Sequence, residues 1–323
     1  MSVSSFKNWK ARASGVGNIL TQQVSITEKQ LHRIEILAVE KETGKNFNGN
    51  NVKWTEKKSE ELDKLIYLKN KPDSLPDGAL TYLDGVFRHI FWGRRRSLKG
   101  SAIEKGTKVE VDSLALISKL DGAFYAENKK QYANDYLTGE PDNAQFNIKE
   151  IKSSFDLESF EKASLTNIYR WQAIAYCWLC NKKNSELIYC LVNNPINQLN
   201  KAIHWAKEKY PEQDVDINSK FIEEAQQIER NMIFDIEKWN KEFPSYDWYN
   251  KVFDFSIPKP LRVNRFKIDA NKEHYDFIKS RVKMARKYLM EKEQIELEKI
   301  KSFSEEDYLN QIEIIKYKLD TKI

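Results

Sequence analysis

Hydrophobic residues recur at helical spacing over most of the first hundred residues. Ile34, Leu37 and Ala38 share one face of a helix predicted over 28–43, and Gly44 is a suitable stop directly after it. The same spacing predicts two more helices, over 55–70 and 80–92. We therefore expect the N-terminal part of the chain to be helical.

The pattern changes after the next helix. The predicted elements are, in order, a helix over 106–120, short strands at 124–125, 135–139 and 146–153, a helix over 159–181 and a strand over 187–192. This alternation predicts a mixed α/β core in which helices pack on a small sheet.

From Pro195 onward the pattern becomes helical again. The predicted helices cover 196–208, 218–243, 278–300 and 304–319, and a connection rich in proline and aromatic residues covers 244–262. We expect three parts: a helical part over 1–100, an α/β core over 101–200, and a helical extension over 201–323. The extension should pack on the core or on another copy of the chain.

The composition of the chain excludes few classes of function. The chain has 323 residues, of which 41% are hydrophobic and 31% are charged, and its net charge is +5. A mild basic excess permits a nucleic-acid partner, although a solvated surface of lysine and glutamate explains it equally well. Three cysteines, the lack of an apolar leader and the lack of a membrane-spanning run lead us to expect a cytoplasmic protein with no membrane partner.

Candidate chemistry lies in the segment 139–152, GEPDNAQFNIKEIK. Glu150 and Lys152 are two apart on a predicted strand, so their side chains should point to the same side. If the strands around this turn pair as a hairpin, Asp142 lies beside Glu150. Two close carboxylates repel each other unless a cation lies between them, and Mg²⁺ prefers such oxygen ligands. A bound metal ion with a nearby ammonium group can promote hydrolysis of a phosphodiester.

The Glu-x-Lys spacing is a weak signal by itself, because these residues alternate on many exposed strands as cross-strand pairs. The surrounding sequence strengthens it. Four blocks occur in order: KGTKVEVDSLAL with Glu110, LTGEPD with Asp142, KEIKSS with Glu150 and Lys152, and YRWQAIAYCWL with Gln172. Together they resemble the PD-(D/E)XK nuclease superfamily, in the branch of the lambda exonuclease and the YqaJ-type viral recombinases.

The resemblance implies an α/β fold with a restriction-endonuclease-like core, in which a small mixed sheet is flanked by helices, and helical additions at both ends. It implies that Asp142, Glu150 and the backbone carbonyl of Ile151 bind Mg²⁺, with Mn²⁺ as a substitute, and that Glu110 holds a second metal ion or a metal-bound water. Lys152 would position the attacking water. The implied enzyme is a metal-dependent deoxyribonuclease, with its catalytic core over 101–200.

Further residues are implied to contact DNA. Gln172 would orient Lys152 or the scissile phosphate, and Arg12 and Ser14 would bind a terminal phosphate. An ordinary helix N-cap explains Ser14 equally well. The basic run before the Glu110 block is expected to contact the DNA backbone, and it consists of Arg94, Arg95 and Arg96.

The branch implies an exonuclease that degrades linear duplex DNA in phage-type recombination or repair, in the host cytoplasm if a phage encodes it. Relatives of this kind can form homo-oligomeric rings and can work with a single-strand annealing protein. Two alternatives stay open. One is an endonuclease or defence nuclease with the same active site, and the other is a catalytically idle DNA-binding subunit.

The cysteines invite a metal or redox interpretation. Cys177 and Cys180 form a CxxC pair in the helix that carries Gln172. Cys190 is the only other cysteine in the sequence, so the four thiolates of a zinc or iron–sulfur site are lacking. We therefore expect buried apolar cysteines.

Overall fold

The structure is a computed structural model that describes residues 5–20, 28–70, 74–95, 100–210, 215–250 and 255–320. Its helices are α1 (Ala13–Leu20), α2 (Glu28–Thr43), α3 (Glu56–Asn70), α4 (Asp77–Phe91), α5 (Ser101–Lys108), α6 (Glu110–Asp121), α7 (Leu157–Glu161), α8 (Asn167–Leu179), α9 (Ile196–Lys209), α10 (Val215–Met232), α11 (Ile236–Glu242), α12 (Lys272–Phe303) and α13 (Glu305–Asp320). Its strands are β1 (Ala11–Arg12), β2 (Tyr132–Ala133), β3 (Leu137–Gly139), β4 (Ile148–Ser153), β5 (Asn184–Cys190) and β6 (Val263–Asp269). Small mixed sheets flanked by helices confirm the predicted α/β class. None of the helices described is long and apolar enough to cross a membrane.

The chain divides into two compact units that are interleaved in sequence. The first consists of Met1–Lys7, Asn18–Gly93 and Arg281–Ile323. The second consists of Asn8–Gly17 and Arg94–Ser280, and it contains all of the predicted site residues. The predicted division of the chain at residues 100 and 200 stays a prediction.

The first unit is held together by hydrophobic contacts between helices. α2 and α3 pack on each other through Leu37, Leu62 and Leu65, which are all buried. Phe6 and Phe87 stack with their ring centroids 5.8 Å apart. The helices predicted at 28–43 and 55–70 are thereby confirmed as a packed pair.

The central sheet of the second unit has the strand order β4-β5-β6. β4 and β5 are parallel, with Glu150 opposite Leu187, and β6 is antiparallel to β5. The expectation of helix alone after Pro195 is therefore wrong at β6. Its sequence, VNRFKID, lacks strict alternation, because β6 lies at the edge of the sheet and most of its residues are partly exposed.

The other sheet has the order β1-β3-β2, with Arg12 of β1 paired in parallel with Thr138 of β3. The strands on either side of Asp142 do not pair as a hairpin, because β3 bonds to β1 and β2 while β4 belongs to the central sheet. An isolated antiparallel bridge between Asn143 and Lys149 nevertheless holds the Asp142 segment against β4. The two carboxylates are thus brought together by a bridge instead of a continuous hairpin.

The strand predicted at 124–125 does not form. The backbone N–H of Tyr125 donates to the Ser118 hydroxyl at 3.0 Å, and that of Ala126 donates to the Gln145 side chain at 3.2 Å. These donors are therefore used by side chains instead of a neighbouring strand. The segment stays irregular as it runs past the Asp142 loop.

Three predicted helices are each divided in two by residues that begin a new helix. Val109 separates α5 from α6, Thr166 caps α8, and Asp235 caps α11. The Thr166 hydroxyl accepts from the backbone N–H of Tyr169 at 3.3 Å, and the Asp235 carboxylate accepts from that of Lys238 at 2.9 Å. Such side chains satisfy the free N–H groups of a helix start and so compete with a continuous helix.

α6 and α8 pack on opposite faces of β4. Ile151 packs into a hydrophobic cluster with residues of α6, and the hydroxyl oxygens of Ser113 and Ser153 are 2.9 Å apart. The neighbouring side chain, Glu150, points to the other face, where it meets Gln172 of α8. The alternation of β4 therefore separates a structural face from a polar one.

Candidate active site

Glu150 and Lys152 lie on the α8 side of β4, as their two-residue spacing predicts. Lys152 Nζ is 2.5 Å from Glu150 Oε1. Gln172 donates from Nε2 to the same oxygen, also at 2.5 Å. Glu150 is only 2% exposed, and a carboxylate so buried needs paired or hydrogen-bonded partners. β4 and α8 together hold it in one orientation.

The second oxygen of Glu150 has different surroundings. Glu150 Oε2 is buried, and no donor in the described part of the chain bonds to it. Buried polar atoms nearly always have a partner, so an unbonded carboxylate oxygen at a pocket is consistent with a cation ligand.

Asp142 reaches this region from the loop between β3 and β4. Its Oδ2 accepts a hydrogen bond from the backbone N–H of Ile151 at 2.6 Å. Asn128 fixes the loop from the other side. Its backbone N–H donates to the Asp142 carbonyl at 2.9 Å, and its Nδ2 donates to the Pro141 carbonyl at 3.0 Å. Asp142 is therefore held at both its side chain and its backbone.

These residues open on a pocket of about 360 Å³, which we call the active-site pocket. The charged residues that line it are five acids and one base, namely Glu110, Glu127, Glu140, Asp142, Glu150 and Arg12. Such a lining attracts cations. It would repel the phosphates of a nucleic acid unless a cation offset its charge.

The structure brings most of the predicted site residues together. Arg12 and Ser14 line the active-site pocket, because β1 pairs with β3 directly before the Asp142 loop. Arg94 and Arg95 are exposed and are not among the lining residues. Arg96 lies outside the described residues.

Burial, together with the crowding of negative charge, raises the carboxyl pKa values. Burial, followed by the charges of Asp142 and Glu127, raises the pKa of Glu110 to about 7. Burial and then Glu150 raise the pKa of Asp142 to about 7. Burial also raises the pKa of Glu150, although Lys152 opposes the change. Burial acts to lower the pKa of Lys152, but Glu150 and Asp142 outweigh it, so this pKa is raised overall.

The residues present fit a hard divalent cation by charge and by donor type. Glu110, Asp142 and Glu150 supply carboxylate oxygens, and the Ile151 carbonyl adjoins Glu150 in the chain. Among the residues the structure describes, no three His, Cys, Asp or Glu side chains already converge as a metal-binding group. Binding must therefore draw the carboxylates together, and the unbonded Glu150 Oε2 is the oxygen most available for it.

Sequence reasoning assigned no role to four polar residues of the lining, namely Glu127, Asn128, Glu140 and Tyr176. Glu140 directly precedes the Pro-Asp turn, and its position could have identified it. Glu127 and Asn128 lie in an irregular segment, where no periodicity marks them. Tyr176 is indicated only indirectly, by the glycine at position 139. A Cβ at Gly139 would lie 2.7 Å from Tyr176 Cε1, which is too close for an ordinary contact.

The cysteines lie apart from the pocket lining. Cys177 and Cys190 are buried, as expected, whereas Cys180 is partly exposed, so that expectation was wrong for Cys180. Cys180 directly follows the last residue of α8 and is the C-cap residue of that helix. Burial raises the pKa of Cys177 and Cys180 to about 11 and that of Cys190 to about 12, which keeps the thiols protonated at neutral pH.

Comparison with solved structures places this fold among known proteins. The phage-related exonuclease of Haemophilus somnus 129PT matches with a TM-score of 0.52 and 17% sequence identity, over 88% of this chain and 95% of that chain. LHK-Exo, an alkaline exonuclease from Laribacter hongkongensis, matches with a TM-score of 0.44 and 10% identity, over 71% of this chain and 88% of that chain. No family model matches the chain, and no curated protein matches it by sequence. The chain thus shares the fold of the phage-related exonuclease, as the resemblance predicted.

Proposed function

We propose that this chain is a Mg²⁺-dependent DNA exonuclease that hydrolyses phosphodiester bonds of linear duplex DNA. The observation that carries the proposal is the arrangement around Glu150. Lys152 and Gln172 both bond to Oε1, while Oε2 is buried without a donor from the described residues. An ordinary ion pair on a strand edge needs neither the glutamine nor a second carboxylate nearby. The fold shared with a phage-related exonuclease supports the same activity.

Glu110, Asp142, Glu150 and the carbonyl of Ile151 would hold the Mg²⁺, with Mn²⁺ as a substitute. The ion would supply positive charge where negative charge develops on the phosphodiester. Five carboxylates around the active-site pocket support this assignment, because they disfavour a polyanionic substrate in the absence of a cation.

Lys152 and Gln172 have complementary parts in the proposed reaction. Lys152 has a raised pKa, so it stays protonated at neutral pH and acts as a donor that orients the attacking water. Gln172 keeps Glu150 in place through an amide that does not titrate. The carboxylate therefore keeps its orientation if Lys152 turns toward substrate.

Residues at the mouth of the active-site pocket would select the DNA end. Arg12 and Ser14 are exposed at this pocket, where they would bind a terminal phosphate and so favour cleavage from an end. Arg94, Arg95 and Arg96 would contact the DNA backbone before α5.

The wider role proposed is phage-type recombination or repair in the cytoplasm. A single-strand annealing protein as partner and a homo-oligomeric ring belong to the same proposal, and both come from the resemblance. The activity itself can be tested without either of them.

The test uses linear duplex DNA with 5′-phosphate or 5′-hydroxyl ends and a covalently closed circle, each with Mg²⁺ or EDTA. We expect Mg²⁺-dependent loss of the linear DNA and an intact circle. Glu150→Gln and Lys152→Met should each lower the rate at least about 100-fold, because the first removes a proposed metal-binding charge and the second removes the proposed donor to the attacking water. Glu158→Gln and Lys162→Met, at an exposed ion pair of the same residue types, should retain the wild-type rate.

Other outcomes would contradict parts of the proposal. Cleavage of the closed circle would indicate an endonuclease or defence nuclease with the same site. DNA binding without cleavage of any substrate would indicate an idle DNA-binding subunit. Hydrolysis that persists in EDTA would exclude the metal-dependent mechanism.

A further inference from the structure

A second pocket, of about 280 Å³, opens on a different side of α6. Glu110 lines the active-site pocket and Asp112 lines the second one. Side chains two residues apart on a helix differ in direction by about 200° around the helix axis, so these two point to different sides. The remaining walls come from the segment directly after β5, from α11 with its N-cap and from the 3₁₀ turn Lys259–Arg262. We call this second site the basic pocket.

The basic pocket is lined by five basic and three acidic side chains. Two of the bases are neutralised. Lys238 Nζ is 3.2 Å from Asp112 Oδ2, and Arg262 Nη2 is 2.8 Å from Asp235 Oδ2. The three other bases form no ion pair with any residue the structure describes, and they are Lys119, Lys241 and Lys259. Three positive charges without an ion-pair partner among the described residues are thus grouped around this pocket, and Lys259 also contributes to lowering the pKa of the nearby Asp235.

The floor between these lysines is apolar. Leu116 and Val192 line the basic pocket and are 7% and 5% exposed. Both belong to the hydrophobic cluster that joins α6 to the central sheet, so the floor is a fixed surface. Ala115 adds a small, exposed side chain beside them. The pocket has room for one large apolar side chain.

The wall opposite α6 is held in place before any partner binds. Asn193, three residues after the end of β5, donates from Nδ2 to the Asp235 carbonyl at 2.9 Å. Its Oδ1 accepts from the backbone N–H groups of Phe234 and Asp235, each at 2.8 Å. A preformed pocket loses little freedom on binding, and this favours affinity.

We propose that the basic pocket is a docking site for an acidic segment of a partner protein that carries one large apolar side chain. The apolar floor would receive that side chain, and Lys119, Lys241 and Lys259 would pair with the acidic residues on either side of it. A nucleic acid fits this surface less well. Its phosphates gain nothing from the apolar floor formed by Leu116 and Val192.

The test measures fluorescence anisotropy of a labelled peptide in which a central Phe lies between runs of Asp. The full-length chain is used in EDTA, so that a thymidine oligonucleotide of equal charge can be compared without degradation. We expect the peptide to bind, and replacing its Phe with Ser should weaken binding about ten-fold. The double variant Lys119→Glu/Lys241→Glu should weaken binding at least about ten-fold. The control Lys57→Glu/Lys64→Glu changes the net charge equally at exposed positions of α3 and should bind as the wild type does.

Three results would overturn the proposal. The peptide could fail to bind, it could bind equally well when its Phe is replaced, or both double variants could weaken peptide binding to the same degree. A fourth result would make nucleic acid the ligand of the basic pocket. In that result the oligonucleotide binds more tightly than the peptide, and only the double variant Lys119→Glu/Lys241→Glu weakens binding of the oligonucleotide. Asp142→Asn, which the proposed nuclease mechanism makes inactive, should bind the peptide normally, so failure of one proposal leaves the other testable.

Discussion

The active-site pocket and the basic pocket share α6 but differ in how their charges are paired. In the active-site pocket, Glu110 forms no ion pair with a described residue, and its pKa is raised to about 7 by burial and by neighbouring acids. In the basic pocket, Asp112 is paired with Lys238, while Lys119 and Lys241 have no acidic partner among the described residues. The unpaired charge, and not the number of charges, therefore supports the two proposals, a bound cation in the active-site pocket and a bound acidic segment in the basic pocket.

The largest effect should come from removing one negative charge in the active-site pocket. Asp142→Asn keeps an oxygen that can accept from the Ile151 N–H, but it loses a metal-binding charge. We expect the rate of DNA hydrolysis at saturating Mg²⁺ to fall at least about 100-fold. Glu208→Gln, which likewise replaces one carboxylate with an amide but at an exposed position, is the control. A variant that keeps more than about a tenth of the wild-type rate would remove Asp142 from the proposed mechanism.

A smaller effect should come from the residue that positions the Asp142 loop. Asn128→Ala removes the hydrogen bond from Nδ2 to the Pro141 carbonyl and the two side-chain bonds to the backbone of Lys130, but it leaves the backbone bond to Asp142. We expect kcat to fall about ten-fold and the Mg²⁺ concentration for half-maximal activity to rise, while KM for DNA changes little. Gln131→Ala breaks a comparable bond to Thr138 in the same segment and serves as the control. Equal kinetics for both variants, or a change in KM alone, would contradict a positioning role.

The smallest effect should appear in the pH dependence of stability. The pKa of Glu110 is about 7 in the folded protein, whereas an ordinary glutamate has a pKa near 4.3. Between these values the folded state keeps a proton that the unfolded chain has lost, so this group's contribution to stability falls as pH rises. In EDTA we expect the wild-type Tm to fall by a few degrees more than that of Glu110→Gln between about pH 5 and 8. Mg²⁺ at pH 8 should raise the wild-type Tm, and identical slopes for the two proteins would show that Glu110 keeps an ordinary pKa.

Local periodicity predicted the helices well where one face of a helix is buried against a neighbour. α2 and α3 match the predicted ranges to within one residue at each end. It failed where tertiary contacts override it. β6 is a strand because β5 supplies its hydrogen bonds, and Asp235 ends a predicted long helix because its carboxylate caps α11.

The site could be predicted only in part, for a similar reason. The blocks around Glu110, Asp142, Glu150 and Gln172 identified residues that now share one pocket lining. Asn128 was missed, since its role depends on backbone groups of a loop about a dozen residues away and not on any local pattern. The basic pocket was missed as well, because it combines lysines of α6, α11 and the turn before β6.

By itself the sequence determined that Glu150 and Lys152 lie on the same side of β4, since the two are two residues apart and alternate residues of a strand must share a face. Only the tertiary structure decided the partners of that pair. It placed Gln172 on one oxygen of Glu150, left the other oxygen without a described donor, and brought Asp142 in through a single bridge instead of the expected hairpin. These contacts join segments far apart in the chain, and their geometry depends on how helices and sheets pack, which no local spacing encodes.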